Sequence, residues 1–135
     1  MIAARWWRRA FVALALFVTW RTLAPDPDAA DGGWAIARLI AALLFHAPEM
    51  ADKVAHFMAY AALGATAAMG RLRLLGLRSP VIAAIAVYGV VLEGLQGLGG
   101  VRDPELADAA ANALGVITAF VCVSLFGRMT ARRFA

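Results

Sequence analysis

Residues 101–127 read VRDPELADAAANALGVITAFVCVSLFG. From Gly115 onward the stretch is apolar enough for hydrocarbon, whereas Arg102, Asp103, Glu105, Asp108 and Asn112 gather at its mouth. A membrane-spanning helix needs about 20 mostly apolar residues. Leu106 to Gly127 supplies that length only if Asp108 and Asn112 lie inside the span. Polar groups at such depth are costly and usually face a bundle interior or a water-filled cavity. The fifteen residues from Val101 to Gly115 therefore read as one wall of a polar pocket.

The rest of the chain agrees with a bilayer as solvent. Its 135 residues are 63% hydrophobic and 16% charged, with a mean hydropathy of +0.74. Soluble domains are about half apolar and about a quarter charged. Three further segments approach spanning length: 9–22 around AFVALALFVTW, 52–70 (DKVAHFMAYAALGATAAMG) and 80–99 (PVIAAIAVYGVVLEGLQGLG). With 106–127 they predict an all-α polytopic membrane protein, a four-transmembrane-helix bundle that uses residues 1–135 as a single domain.

Arginine placement orients the bundle. Arg5, Arg8 and Arg9 precede the first span, Arg71, Arg73 and Arg78 join the second to the third, and Arg128, Arg132 and Arg133 follow the fourth. With four spans all three groups share one side, which the positive-inside rule makes the cytoplasm. Both termini are then cytoplasmic, in a bacterial-type inner membrane. The pI near 10.2 expresses this topology rather than nucleic-acid binding, since no basic-aromatic interleaving suited to base stacking occurs. The N-terminal segment also resembles a signal peptide, but Pro25 after TLA and the Trp20-Arg21 edge favour an uncleaved anchor. Between spans one and two, WAIARLIAALLFH (34–46) is too short to cross and predicts an interfacial or re-entrant helix, with Arg38 toward water and Trp34 at headgroup level. Ser79-Pro80 suggests a capped start for the third span. The single cysteine, Cys122, forms no intrachain disulfide and reads as buried packing.

Three spans carry ionisable or amide groups. Asp52, His56 and Tyr60 are spaced i, i+4, i+8 and share one helix face, with Lys53 beside them. Glu93 and Gln96 share a face of the third span, and Asp108 and Asn112 a face of the fourth. At about 1.5 Å per residue, His56 lies about 6 Å and Glu93 about 9 Å from the extracytoplasmic ends of their spans, and Asn112 at similar depth. The three levels coincide, with Arg102 in the loop above. Each residue also has an ordinary use. Asp52 and Asp108 suit helix N-termini, Asn112 can bridge helices, Tyr60 can pack, and small residues such as Gly64, Gly89, Gly94 and Gly97 permit close helix approach. Glu93 is the exception, because a carboxylate that deep needs a partner, a proton or a task.

These residues resemble the VanZ-like family. DKVAHFMAYAALG is similar to its Asp-Lys, His, Tyr, Gly signature, EGLQ to its Glu-x-x-Gln, and Arg102, Asp108, Asn112 and Gly115 to its last motif. GGV stands where that family often has a Pro-Gly turn, Glu105 where it often has a small hydroxyl residue, and Ala119 where a second glycine is common. The resemblance implies a small multi-pass envelope protein, in a family whose namesake is linked to resistance to the glycopeptide teicoplanin.

Two functions follow as expectations. The first is an outer-leaflet pocket that binds, or helps modify, an envelope lipid, a lipid-linked precursor or a lipoglycopeptide. Asp52, Lys53, Tyr60, Gln96, Arg102, Asp108 and Asn112 would contact it, with Lys53 and Arg102 suited to phosphate or carboxylate. The second is a small membrane enzyme in which Glu93 and His56 act as a general acid–base pair on a lipid-linked substrate. Serine and cysteine nucleophiles are absent at this level, and inverted repeats expected of a transporter are not seen. His56, Glu93 and Asp108 form a conceivable metal set, but no zinc-type spacing such as HExxH occurs. Neither metal nor cofactor is expected, and membrane lipids are the expected partners.

Overall fold

The computed structural model describes residues 2–24, 31–100 and 104–133. Among them are five α-helices: α1 (Ile2–Leu23), α2 (Asp31–Phe45), α3 (Ala51–Met69), α4 (Ser79–Leu98) and α5 (Leu106–Arg133). A 3-10 turn, Pro48–Met50, leads into α3. The protein is all-α. Two of its helices are long and apolar enough to cross a membrane: α4, and α5 over Leu106–Gly127. α1 carries Arg5, Arg8, Arg9 and Arg21, and α3 mixes Asp52, Lys53 and His56 with weakly apolar alanines, so neither reaches that standard.

Helix ends depart from the expected spans. α1 starts at Ile2 rather than residue 9, because its Arg- and Trp-rich first turns are good helix but poor hydrocarbon. α5 continues past Gly127 to Arg133 for the same reason. Ser79 is the first residue of α4, not its cap. Arg78 holds the cap position, and no side chain hydrogen-bonds there. α2 lies close to the expected segment and ends at His46, whose φ of 53° breaks the helix.

α3 is the hub. Tyr60, Leu63 and Ala67 pack with Val81, Ile85 and Leu92 of α4, Val116 of α5 and Val18 of α1. Ala37 and Ala41 of α2 cover Ala51 and Val54 at the start of α3. Contacts give the directions. His56, Ala61 and Gly64 meet Asn112, Gly115 and Val116 in the same order, so α3 and α5 run parallel. His56 and Tyr60 meet Glu93 and Gly89, so α4 runs against α3.

The α3–α5 seam is the tightest contact, and glycine makes it so. A Cβ on Gly64 would stand 2.6 Å from the Val116 carbonyl oxygen. One on Gly115 would strike the Phe57 carbonyl and lie 2.9 Å from the Ala61 nitrogen. Two backbones therefore touch where any larger residue would hold them apart. Gly89 lies against the Tyr60 ring and Gly97 against Pro104, whereas a Cβ on Gly94 would meet nothing within 4 Å; Gly94 is not a packing residue. The buried face of α5 is Asp108, Asn112, Gly115, Val116 and Phe120, a helical stripe. Cys122 falls off that stripe and is exposed, so its expected packing role is not met.

Candidate functional site

The parallel seam places the first turns of α3 and α5 side by side. Asp52 lies in the first turn of α3 and Asp108 in the first turn of α5. Each carboxylate is favoured there by unpaired backbone N–H groups and the positive end of the helix dipole. One turn deeper come His56 and Asn112. Glu93 reaches the same level from α4. Four are buried, with Asp108 and Asn112 each 1% exposed, Glu93 6% and Asp52 8%, and His56 is half-buried.

Lys53 closes the top. Its Nζ lies 3.1 Å from Asp52 Oδ2 and 3.1 Å from Asp108 Oδ1, and it also donates to Glu105 Oε2. The lysine is thus held by three carboxylates. Among the described residues this end of the bundle gathers four carboxylates (Asp52, Glu93, Glu105, Asp108) around one ammonium.

His56 is the centre of the cluster. Its Nδ1 lies 3.0 Å from Asn112 Oδ1 and 3.5 Å from Glu93 Oε1. Both neighbours are acceptors, which assigns the proton to Nδ1. Nε2 on the other edge faces Asp52 Oδ1 at 3.6 Å and Asp108 Oδ2 at 3.8 Å. Asn112 Nδ2 is buried and has no hydrogen-bond partner among the described residues. It lies beside Gly89, where a Cβ would approach it to 3.1 Å.

The structure thus brings together Asp52, Lys53, His56, Glu93, Asp108 and Asn112. It adds Glu105, which lies in the quoted polar stretch but was not read as a site residue. Gln96 is half-buried one turn beyond Glu93. Tyr60 sits lower, in the apolar core, with its ring 6.3 Å from that of Tyr88. Arg102 lies outside the described residues. A separate cavity of about 360 Å³ opens between α1, α3 and α4 at the far end of the bundle. Phe11, Leu63, Leu72, Val81, Ile85 and Tyr88 line it, so it holds none of this chemistry.

The arrangement supports three uses. Carboxylates can accept hydrogen bonds from hydroxyl or amino groups. The His56–Glu93 pair can shuttle a proton. Asp52, His56 and Asp108 each offer one potential metal-ligand atom, and all three atoms lie within 4.8 Å of one another. Comparison with family models, curated proteins and solved structures finds no match to the chain.

Proposed function

We propose that the chain is a VanZ-like integral membrane protein of the cell envelope whose polar cluster receives the headgroup of a membrane-embedded amphiphile. In this reading α1, α3, α4 and α5 are the four spans, α2 lies at or re-enters the interface, and both termini are cytoplasmic. The amphiphile is an envelope lipid, a lipid-linked precursor or a lipoglycopeptide of the teicoplanin kind.

The observation that carries the reading is the cluster of buried Asp52, Glu93, Asp108 and Asn112 with half-buried Lys53 and His56 at one end of an apolar bundle. Burying so many ionisable groups seldom adds stability, and in hydrocarbon such groups mark functional sites. The flanks agree with lipid contact. Leu16, Phe17 and Trp20 of α1, Val87, Val90 and Val91 of α4, and Leu114, Leu125 and Phe126 of α5 are all exposed. Arg8, Gly70 and Arg78 lie together at the end opposite the cluster, which supports this orientation. The cluster's chemistry favours a headgroup rich in hydroxyl or amino donors, with Asn112 Nδ2 left to donate one bond.

A second reading rests on the 3.5 Å approach of His56 Nδ1 to Glu93 Oε1. A protonated Nδ1 beside a carboxylate is the arrangement of an acid–base pair, and a lipid-linked substrate would then be turned over rather than held.

The test is to purify the full chain from membranes in mild detergent and identify co-purifying lipids by mass spectrometry, beside Asp108→Asn and Glu93→Gln at matched levels. A retained amphiphile that both substitutions release supports binding. Consumption of that amphiphile by the native chain, lost in Glu93→Gln, supports the enzyme. A native chain that retains no specific amphiphile overturns both.

A further inference from the structure

We infer that the cavity between α1, α3 and α4 seats one acyl chain of an anionic phospholipid, with Arg73 at its rim holding the phosphate. The inference rests on the bilayer reading of the chain and not on the headgroup reading of the polar cluster.

The first support is the cavity itself. Its volume of about 360 Å³ lies within the range of about 300–1,000 Å³ usual for small-ligand sites. Val81, Ala84, Ile85 and Tyr88 form its α4 wall, and at about 1.5 Å per residue that wall runs about 10 Å along the helix. The one hydroxyl among the lining residues is already engaged. Tyr88 Oη donates to the Ala15 carbonyl at 2.7 Å and lies 2.6 Å from Thr19 Oγ1. Whatever enters must therefore be apolar along its length, which suits a hydrocarbon chain and not a sugar or a peptide.

The second support is charge. Arg73 is the one charged residue lining the cavity. Its side chain is in an exposed loop, and its Nη1 reaches the Gly76 carbonyl at a long 3.5 Å. Arg8 and Arg78 differ, since each donates to a helix-end carbonyl at 2.9 Å or less. The guanidinium of Arg73 thus keeps a planar fork of donors suited to phosphate. No Asp or Glu occurs in residues 1–25, 54–92 or 109–135, so these segments bring no acidic side chain to it. Lipid phosphates are the anions that a bilayer surface supplies.

The third support is the loop that carries Arg73. Leu74 and Leu77 exchange backbone hydrogen bonds at 2.9 and 3.0 Å and close a two-residue hairpin. Leu75 at φ 53° and Gly76 at φ 76° hold its two turn positions, where Asn-Gly is the favoured pair. A leucine in that backbone region is unusual, and this one is 89% exposed. Leu74 and Leu77 are exposed too, beside Arg71, Arg73 and Arg78. Leucines interleaved with arginines fit a lipid boundary, where the apolar groups enter hydrocarbon and the cations stay at phosphate level. Leu72 and Leu74 of the same loop line the cavity, so chain and phosphate are received side by side.

The experiment uses the full chain, purified in detergent and delipidated. It is mixed with dioleoyl phosphatidylglycerol or, separately, with dioleoyl phosphatidylcholine, whose choline neutralises the phosphate, and bound lipid is counted by native mass spectrometry. One phosphatidylglycerol per chain is expected, bound at least about fivefold more tightly than phosphatidylcholine. Arg73→Gln should reduce binding to the phosphatidylcholine level. Ala84→Trp, which fills the cavity from an exposed wall position and keeps every charge, should weaken phosphatidylglycerol binding about tenfold. Arg5→Gln, an equal loss of charge outside the cavity, should leave binding unchanged, as should Asp108→Asn in the polar cluster. Equal binding of the two lipids by the native chain overturns the inference. So does a loss in Arg5→Gln as large as that in Arg73→Gln, which makes the preference one of diffuse surface charge. Unchanged binding by a folded Ala84→Trp chain also overturns it, because the acyl chain then lies elsewhere. A chain recovered in the soluble fraction without detergent overturns the bilayer reading and this inference together, whereas a membrane-extracted chain without lipid preference overturns this inference alone.

Discussion

The two ends of the helix bundle use buried polar groups for different purposes. At the end where α3 stops and α4 starts, arginines serve the backbone. Arg8 Nε donates to the Gly70 carbonyl at 2.9 Å and Arg78 Nη2 to the Ala68 carbonyl at 2.8 Å. Helix C-termini leave such carbonyls without intrahelical partners, and a cation there suits the dipole. At the other end, side chains from three helices face one another. Glu93 and His56, Lys53 and Asp108, Asn112 and His56 complete no helix. The comparison teaches where stability was given up. A cap repairs a defect that every helix has, whereas an inward-facing carboxylate creates a cost the fold did not require.

The largest effect should come from breaking the seam that joins the two ends. Gly115→Leu forces a side chain into the Phe57 and Ala61 backbone and should abolish the folded chain in detergent extracts. Gly115→Ala should cost about 3 kcal/mol or more in unfolding experiments, at the upper end for overpacked sites. Next in size is a change confined to the polar end. Asp108→Asn should cut ligand retention at least tenfold while the unfolding free energy moves by no more than about 1 kcal/mol, because Lys53 is partly exposed and Asp52 and Glu105 still hold it. If this variant instead fails to fold, the polar end is another structural device and the comparison collapses.

The opposite end should behave in reverse. Arg78→Ala removes the bond to Ala68 and should cost about 1.5–3 kcal/mol, read by thermal or denaturant unfolding, with lipid retention unaltered. Smaller still is Tyr88→Phe. The Tyr88 hydroxyl donates to the Ala15 carbonyl at 2.7 Å and lies 2.6 Å from Thr19 Oγ1. Losing it should cost about 1 kcal/mol and leave the polar end unaffected, which sharpens the contrast between a tie within the bundle and a site.

The difference between the ends was partly legible in the sequence. Asp52 with His56, and Asp108 with Asn112, recur at i, i+4, and that spacing alone puts each pair on one face. Glu93 was legible as an acid with nowhere inexpensive to go. The partners were less legible. Lys53 suits anions by residue type, and sequence does not show that Glu105 and Asp108 also reach it. Gly115 was noticed within a motif, not as the residue that lets α5 touch α3, since contact depends on a neighbour 54 residues away in the case of Ala61. Helix ends were misplaced at α1 and α5 because hydropathy measures solvent preference, and arginine-rich turns stay helical after they leave hydrocarbon. Cys122 and Tyr60 were read by residue type. Their actual places, outside the seam and below the cluster, depend on which face of a helix finds a partner.

The contact of α3 with α5 also sets a gauge. Where Gly64 meets Val116 and Gly115 meets Phe57 and Ala61, main chain rests on main chain with no side chain between. No rotamer change there can widen or narrow the gap. The distance between the Asp52–His56 edge and the Asp108–Asn112 edge is fixed by atomic radii, as the jaws of a locked calliper are fixed. Under the headgroup reading proposed above, a guest slightly too large would meet hard contact, and size would act on selection before charge.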